Sequence, residues 1–126
     1  MTVYYNHEMY SAQLLDFFQN PRNPGDVSDA DASVELENPA CGDILRLSLK
    51  VVKGEILEIR FKARGCVPAM ACGSALTEMV VGRTLTEAGA LTRQELVEKV
   101  GGLPPASDHA CHLALDALSQ LLAKVR

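Results

Sequence analysis

The sequence predicts an α+β domain in which a small antiparallel β-sheet of about three strands packs against several helices. Three observations predict it. Leu45, Leu47, Leu49 and Val51 alternate with Arg46, Ser48 and Lys50, and Leu57, Ile59, Phe61 and Ala63 alternate with Glu58, Arg60 and Lys62. Period two with one polar face is the pattern of antiparallel strands covered by a core on one side. From Pro68 onward the apolar period changes to that of helices. The resulting order of helix, strands and then a block of helices is that of an α+β domain, not the alternation of a parallel sheet.

The elements follow in order. Residues 9–19 spell a short amphipathic helix with Tyr10, Leu14, Phe17 and Phe18 on one side. It stops near Asn20, because Pro21 and Pro24 disfavour helix in the residues before them. Residues 20–32, rich in Pro, Gly, Asp and Asn, read as a surface loop braced by Arg22. Ser33 to Glu37 adds a third, shorter strand ahead of the two strong ones, which turn at Lys53-Gly54. Pro68 suits the first position of a helix, where its missing N–H has no partner to lose. That helix runs to about Val81 and ends at Gly82, which tolerates a left-handed conformation. Thr84 with Glu87, and Thr92 with Glu95, fit capping boxes that open two short helices, the second ended by Gly101-Gly102. After Leu103-Pro104-Pro105, Ser107 or Asp108 caps a last helix with an apolar stripe of Ala114, Leu118, Leu121, Leu122 and Val125.

A chain of 126 residues is the length of one domain, here residues 1–126. Its hydrophobic content of 48% and charged content of 22% are those of an ordinary folded protein. The net charge of −4, with no basic cluster, speaks against a nucleic-acid footprint. No apolar run approaches the roughly 20 residues that span a bilayer, so no membrane association is expected. His7, Glu8 and Asp16 interrupt the stretch where a signal peptide needs apolar residues, which gives a cytoplasmic protein. The four cysteines, Cys41, Cys66, Cys72 and Cys111, are then metal ligands, reactive thiols or packing residues before they are disulfides.

Two of them fall at a shared place. Cys41-Gly42-Asp43 precedes the first strong strand and Gly65-Cys66 follows the second. Antiparallel neighbours put the start of one strand beside the end of the other, so Cys41 and Cys66 are close in space. Cys66 also lies just ahead of a helix N-terminus, whose positive end favours a thiolate. On these features alone a thiolate metal site stands beside a second reading, two incidental loop cysteines.

Several separated motifs then add up. Asn20-Pro21-Arg22-Asn23, Pro39-Ala40-Cys41-Gly42-Asp43, Arg60-Phe61-Lys62, Gly65-Cys66, and Leu103-Pro104-Pro105 ahead of His109 make the chain resemble the IscU/NifU N-terminal family, from about Tyr10 to the last helix. The resemblance implies a SufE/NifU-type fold and a scaffold or carrier rather than an enzyme. Such a scaffold accepts sulfur from a cysteine desulfurase, takes iron from an iron donor, builds a transient [2Fe-2S] cluster and passes it to recipient apoproteins. It implies that Cys41 and Cys66 are cluster ligands, that Asp43 keeps the cluster labile, and that His109 matches the family histidine. Imidazole can replace thiolate at cluster iron, and a carboxylate is the harder, poorer ligand, which suits release over storage. A homodimer sharing a cluster is a further form of such carriers. In parts of the family Val-Lys follows Leu-Pro-Pro and is read by an Hsp70-type chaperone; here Ala106-Ser107 follows, so that partner is left open.

The chain departs from the family at one site position. The family places a cysteine directly after the histidine, and here that residue is Ala110. Cys111 projects about 100° away from position 110 around a helix and leads the apolar stripe, so packing explains it. Cys72 lies roughly 6 Å along the helix axis from Pro68, a distance compatible with a shared binuclear cluster. Cys41, Cys66 and Cys72 with either His109 or Asp43 then complete four ligands. Two other functions compete with the scaffold. One is a SufU-like sulfurtransferase that holds zinc in place of the cluster. The other is a degenerate, cluster-free interaction module. His7 and His112 read as solvated or packing residues.

Overall fold

A computed structural model describes residues 10–40 and 42–126. Cys41, His7 and the first residue of the expected opening helix lie outside the described residues. Helix α1 (Ala12–Gln19) is followed by strands β1 (Ala32–Asn38), β2 (Asp43–Val52) and β3 (Glu55–Arg64). Helices α2 (Val67–Val80), α3 (Leu85–Gly89), α4 (Arg93–Lys99) and α5 (Asp108–Ala123) follow, with a 3₁₀ turn at Pro105–Ser107 before the last. The strands form one antiparallel sheet in the order β1-β2-β3, the α+β arrangement read from the alternation.

The sheet buries one face. Leu45, Leu47 and Leu49 pair with Ala63, Phe61 and Ile59, and with Val34 they form a core with α2 and α5. At the hairpin end the alternation breaks. Lys50 pairs with Glu58 but Val51 pairs with Ile56, which leaves Leu57 as the extra residue of a bulge. The register step moves Ile56 into the core, fully buried, and turns Leu57 outward with 63% of its surface exposed. The inward position expected for Leu57 is thus corrected by a one-residue bulge that period-two counting cannot see.

Residues 20–31 cover the sheet more closely than a surface loop does. The Phe61 N–H donates to Asn23 O at 3.0 Å and the Gly25 N–H to Phe61 O at 2.8 Å, closing part of the β3 edge. On the outer face the buried Ser48 hydroxyl accepts from the Val27 N–H at 2.9 Å. Arg22 braces this segment as expected: its N–H donates to Ser74 Oγ at 2.9 Å, and its guanidinium bridges Asp16 and Glu78 while lying over the Phe17 ring.

Helix α2 is buried nearly all round, including Ser74 and Thr77, and so sits in the centre of the molecule. It starts one residue earlier than expected, with Cys66 itself as N-cap. Both capping boxes are formed, Thr84 with Glu87 and Thr92 with Glu95. The last helix lacks the expected side-chain cap. Ser107, at φ −104° and ψ 7°, belongs to the 3₁₀ turn and is not in the extended conformation that a capping hydroxyl needs. Asp108 instead sits in the first turn of α5, between Arg93 and His112. Among the described residues no helix is long and apolar enough to cross a membrane.

Candidate metal centre

Three elements deliver one ligand-bearing side chain each to the same point. Asp43 opens β2 opposite Asn38, the last residue of β1. β3 ends at Arg64 beside Ile44, so after the turn at Gly65 the chain returns to Asp43, and Cys66 starts α2 there. His109 is the second residue of α5. Ligand atoms of Asp43, Cys66 and His109 all lie within 4.8 Å of one another. The Asp43 Oδ2 atom is 3.2 Å from Cys66 Sγ and 3.2 Å from His109 Nε2, and Sγ and Nε2 are 3.8 Å apart.

The carboxylate at the centre is only 1% exposed. A buried carboxylate is sustained only by partners that donate to it. Asp43 Oδ1 accepts from the Cys66 backbone N–H at 2.9 Å, and Oδ2 faces the thiol and the imidazole. In the tautomer that carries its proton on Nε2, His109 donates to Oδ2. Cys66 and His109 are partly exposed, so the three donors open to the surface on one side. Thiolate, imidazole and carboxylate in one small triangle are a donor set for a borderline-soft cation or for cluster iron.

The other expected ligands are Cys41 and Cys72. Cys41 lies outside the described residues. Cys72 is fully buried in the core and is not among the donors of this group. Burial pushes its thiol far above its ordinary range, with Cys111 and Cys66 adding to the effect. The reason is its position on α2, in the core with Ala71, Ala75 and Leu76. Cys111 is also fully buried, and its Sγ is 3.8 Å from Arg93 O. Burial raises that thiol to about 11, against a smaller lowering by Arg93. Ala110, between His109 and Cys111, is 1% exposed. His112 pairs with Asp108 at 2.9 Å on the surface and has no part in the group.

Strand pairing alone predicts that Cys41 and Cys66 are close; Cys41 lies outside the described residues, and Asp43, two positions on, is the residue that meets Cys66. The arrival of His109 was legible only through the family resemblance, because it depends on how α5 packs across the sheet. Gly65 escaped notice as a site residue, although its φ of +134° lies where other residues are strained.

Comparison with known proteins gives the family and the fold. Residues 9–126 match the family model described as the NifU-like N terminal domain. An iron-sulfur cluster assembly scaffold protein IscU of Archaeoglobus fulgidus is 43% identical over 114 residues, covering 90% of this chain and 74% of the relative. The IscU scaffold protein of Escherichia coli K12 is 39% identical over 118 residues, covering 90% of this chain and 91% of the relative. Among solved structures, a putative SUF-system scaffold from Fervidobacterium islandicum superposes with a TM-score of 0.77 at 19% identity, covering 92% of this chain and 98% of the other. A nitrogen-fixing NifU-like protein (N-terminal) from Brucella abortus superposes with a TM-score of 0.74 at 19% identity, covering 94% of each chain. These two likenesses concern the fold. The family-model match over nearly the whole chain, with the extended identity to IscU proteins, makes this chain a member of the NifU N-terminal family.

Proposed function

We propose that this protein is a scaffold on which an iron–sulfur cluster is assembled and from which it is handed on. The observation that carries the reading is the meeting of Asp43, Cys66 and His109 within 4.8 Å, in a chain about 40% identical to IscU scaffolds. Cys41 completes the donor set. Cys72 is assigned to the core.

The residues divide the work by their chemistry. Cys66 at the N-terminus of α2, beside an imidazole, is suited to act as a thiolate. As persulfide acceptor it attacks the outer sulfur of the desulfurase persulfide. The new S–S bond forms as the old one breaks, the desulfurase cysteine leaves as thiolate, and no net redox change occurs. Two electrons from an external thiol or iron–sulfur reductant then convert the sulfane sulfur to sulfide. Iron in the triangle would take the place of the Sγ proton, the imidazole carrying its one proton on Nδ1 so that Nε2 is free to ligate, and two thiolates, the imidazole and the carboxylate would hold the [2Fe-2S] cargo. The hard Asp43 oxygen is the weakest of these bonds and the place where a recipient thiol enters. The partners of this activity are a cysteine desulfurase, an iron donor and recipient apoproteins.

The same donors also suit tetrahedral zinc, which favours as second reading a zinc-loaded persulfide acceptor for the desulfurase. One experiment separates the two. The protein is incubated anaerobically with a cysteine desulfurase, cysteine, a thiol reductant and ferrous iron, and then mixed with an apo-[2Fe-2S] protein. The scaffold reading predicts visible charge-transfer bands that move to the recipient. Persulfide on Cys66 with retained zinc and no bands supports the acceptor instead.

A further inference from the structure

Asp43's carboxylate is seated on the backbone of the residue pair that ends the β3–α2 turn. An ideal Cβ at Gly65 would lie 2.8 Å from Asp43 Cγ and 2.9 Å from Asp43 Cα, and closer still to Oδ1. Real side chains do not approach so near, and the atoms met are Asp43's own backbone and its short, buried carboxylate, with nowhere to retreat. Directly after this gap, the Cys66 N–H donates to Oδ1 at 2.9 Å. With Oδ1 held there, Oδ2 is left 3.2 Å from both Cys66 Sγ and His109 Nε2.

We infer that Gly65 is a positioning residue of the metal site: its missing side chain and the Cys66 N–H form a seat that fixes Oδ1 and presents Oδ2 alone to the metal. This rests on the reading of Asp43 as a ligand and adds how that ligand is aimed. Gly101, at positive φ too, is crowded by the Ser11 and Gln13 side chains, which are not site residues; the contrast with the remaining positive-φ glycines supports the assignment. Gly25, Gly42, Gly54, Gly82 and Gly102 also have positive φ, yet a Cβ at any of them would meet nothing within 4 Å. Their backbone conformation alone accounts for glycine there. At Gly65 conformation and space both exclude a side chain, and the space is filled by a site residue.

The test is a double-mutant cycle of Gly65→Ala and Asp43→Ala with two readouts on the purified apo-protein. One is affinity for Co²⁺, read from its visible ligand-field and thiolate charge-transfer bands. The other is the ¹H–¹⁵N shift of the Cys66 amide, which a bond to a carboxylate displaces and a general loss of stability does not. The seat predicts that Gly65→Ala moves the amide signal and weakens Co²⁺ binding at least tenfold when Asp43 is present. With Asp43→Ala, adding Gly65→Ala changes affinity less than twofold. Should Gly65→Ala alone fail to fold while the double variant folds, the clash with Asp43 is demonstrated directly. A Co²⁺ penalty of the same size in both backgrounds, failure of both to fold, or an unmoved amide in Gly65→Ala overturns the seat in favour of simple backbone strain. A displaced amide together with unchanged Co²⁺ affinity in Asp43→Ala keeps the seat but overturns its service to a metal, and with it Asp43 as a ligand.

Discussion

Asp43 and Cys66 are joined twice, Oδ1 to the backbone N–H at 2.9 Å and Oδ2 to Sγ at 3.2 Å. The residue that opens the central strand thus holds the residue that opens the central helix. Their second contact is with a thiol whose other neighbour is His109, 3.8 Å away. One buried carboxylate therefore ties fold to site.

Replacing that carboxylate should register in both. Asp43→Ala leaves the Cys66 N–H without its acceptor and is expected to cost about 1–3 kcal/mol of stability. Asp43→Asn keeps the volume but loses the charge that faces imidazole and thiol, and should cost less. Both should bind zinc more weakly than the wild type. Urea unfolding and competition against a chromophoric zinc chelator check the two effects separately.

The described cysteines should differ sharply in reactivity. Cys66 is partly exposed at a helix N-terminus, whereas Cys72 and Cys111 are fully buried. At about 11 against an ordinary 9.0, Cys111 holds about 100-fold less thiolate at neutral pH than a free cysteine. Brief treatment of the native apo-protein with iodoacetamide, followed by peptide mass spectrometry, should modify Cys66 and spare Cys72 and Cys111. All three should react after unfolding.

The same burial sets an alkaline limit. A thiol raised by folding keeps its proton in the native state while the unfolded chain loses it. Its stabilisation is complete below the unfolded value of 9.0 and, for Cys111, is lost as pH rises through about 11. Cys72, raised in the same direction, adds to the loss. Each thiol contributes a slope of up to about 1.4 kcal/mol per pH unit above pH 9. Melting curves from pH 8 to 11 should fall less steeply for Cys72→Ala and Cys111→Ala than for the wild type.

Helix α2 approaches the sheet through Gly73, where an added Cβ would lie 3.0 Å from Phe61 Cδ2 and 3.1 Å from Leu45 Cδ1. Overpacking of this kind costs about 1–3 kcal/mol, and alanine returns up to about 1 kcal/mol of helix propensity. Gly73→Ala should therefore be destabilised by about 1 kcal/mol with metal affinity retained, as denaturant unfolding and zinc competition would record.

Much of this architecture was written locally. Both capping boxes, the Lys53-Gly54 turn and the strand alternation each rest on a few adjacent residues, and each is present. What local reading missed depends on residues far apart. Leu57 is turned outward by a bulge defined only by its pairing with β2. The segment at Asn23 to Gly25 finds its partners on Phe61. At the site, antiparallel pairing predicts Cys41 beside Cys66; Cys41 lies outside the described residues, and the residue the structure joins to Cys66 is Asp43. The reading of Cys72 as a ligand rests on its distance along the helix and on the small Gly73, Ser74 and Ala75 beside it, against a core face shared with Leu76 and Met79; the structure buries it in the core.

The most direct test of the ligand assignment is anaerobic reconstitution with ferrous iron and sulfide. Wild type, Cys66→Ser, Cys72→Ser and Cys111→Ser are compared by bound iron, acid-labile sulfide and visible absorption. The account predicts that Cys66→Ser loses the cluster while Cys72→Ser and Cys111→Ser keep it. Loss of the cluster in a folded Cys72→Ser, or a wild type that takes up no cluster but retains zinc, would contradict it.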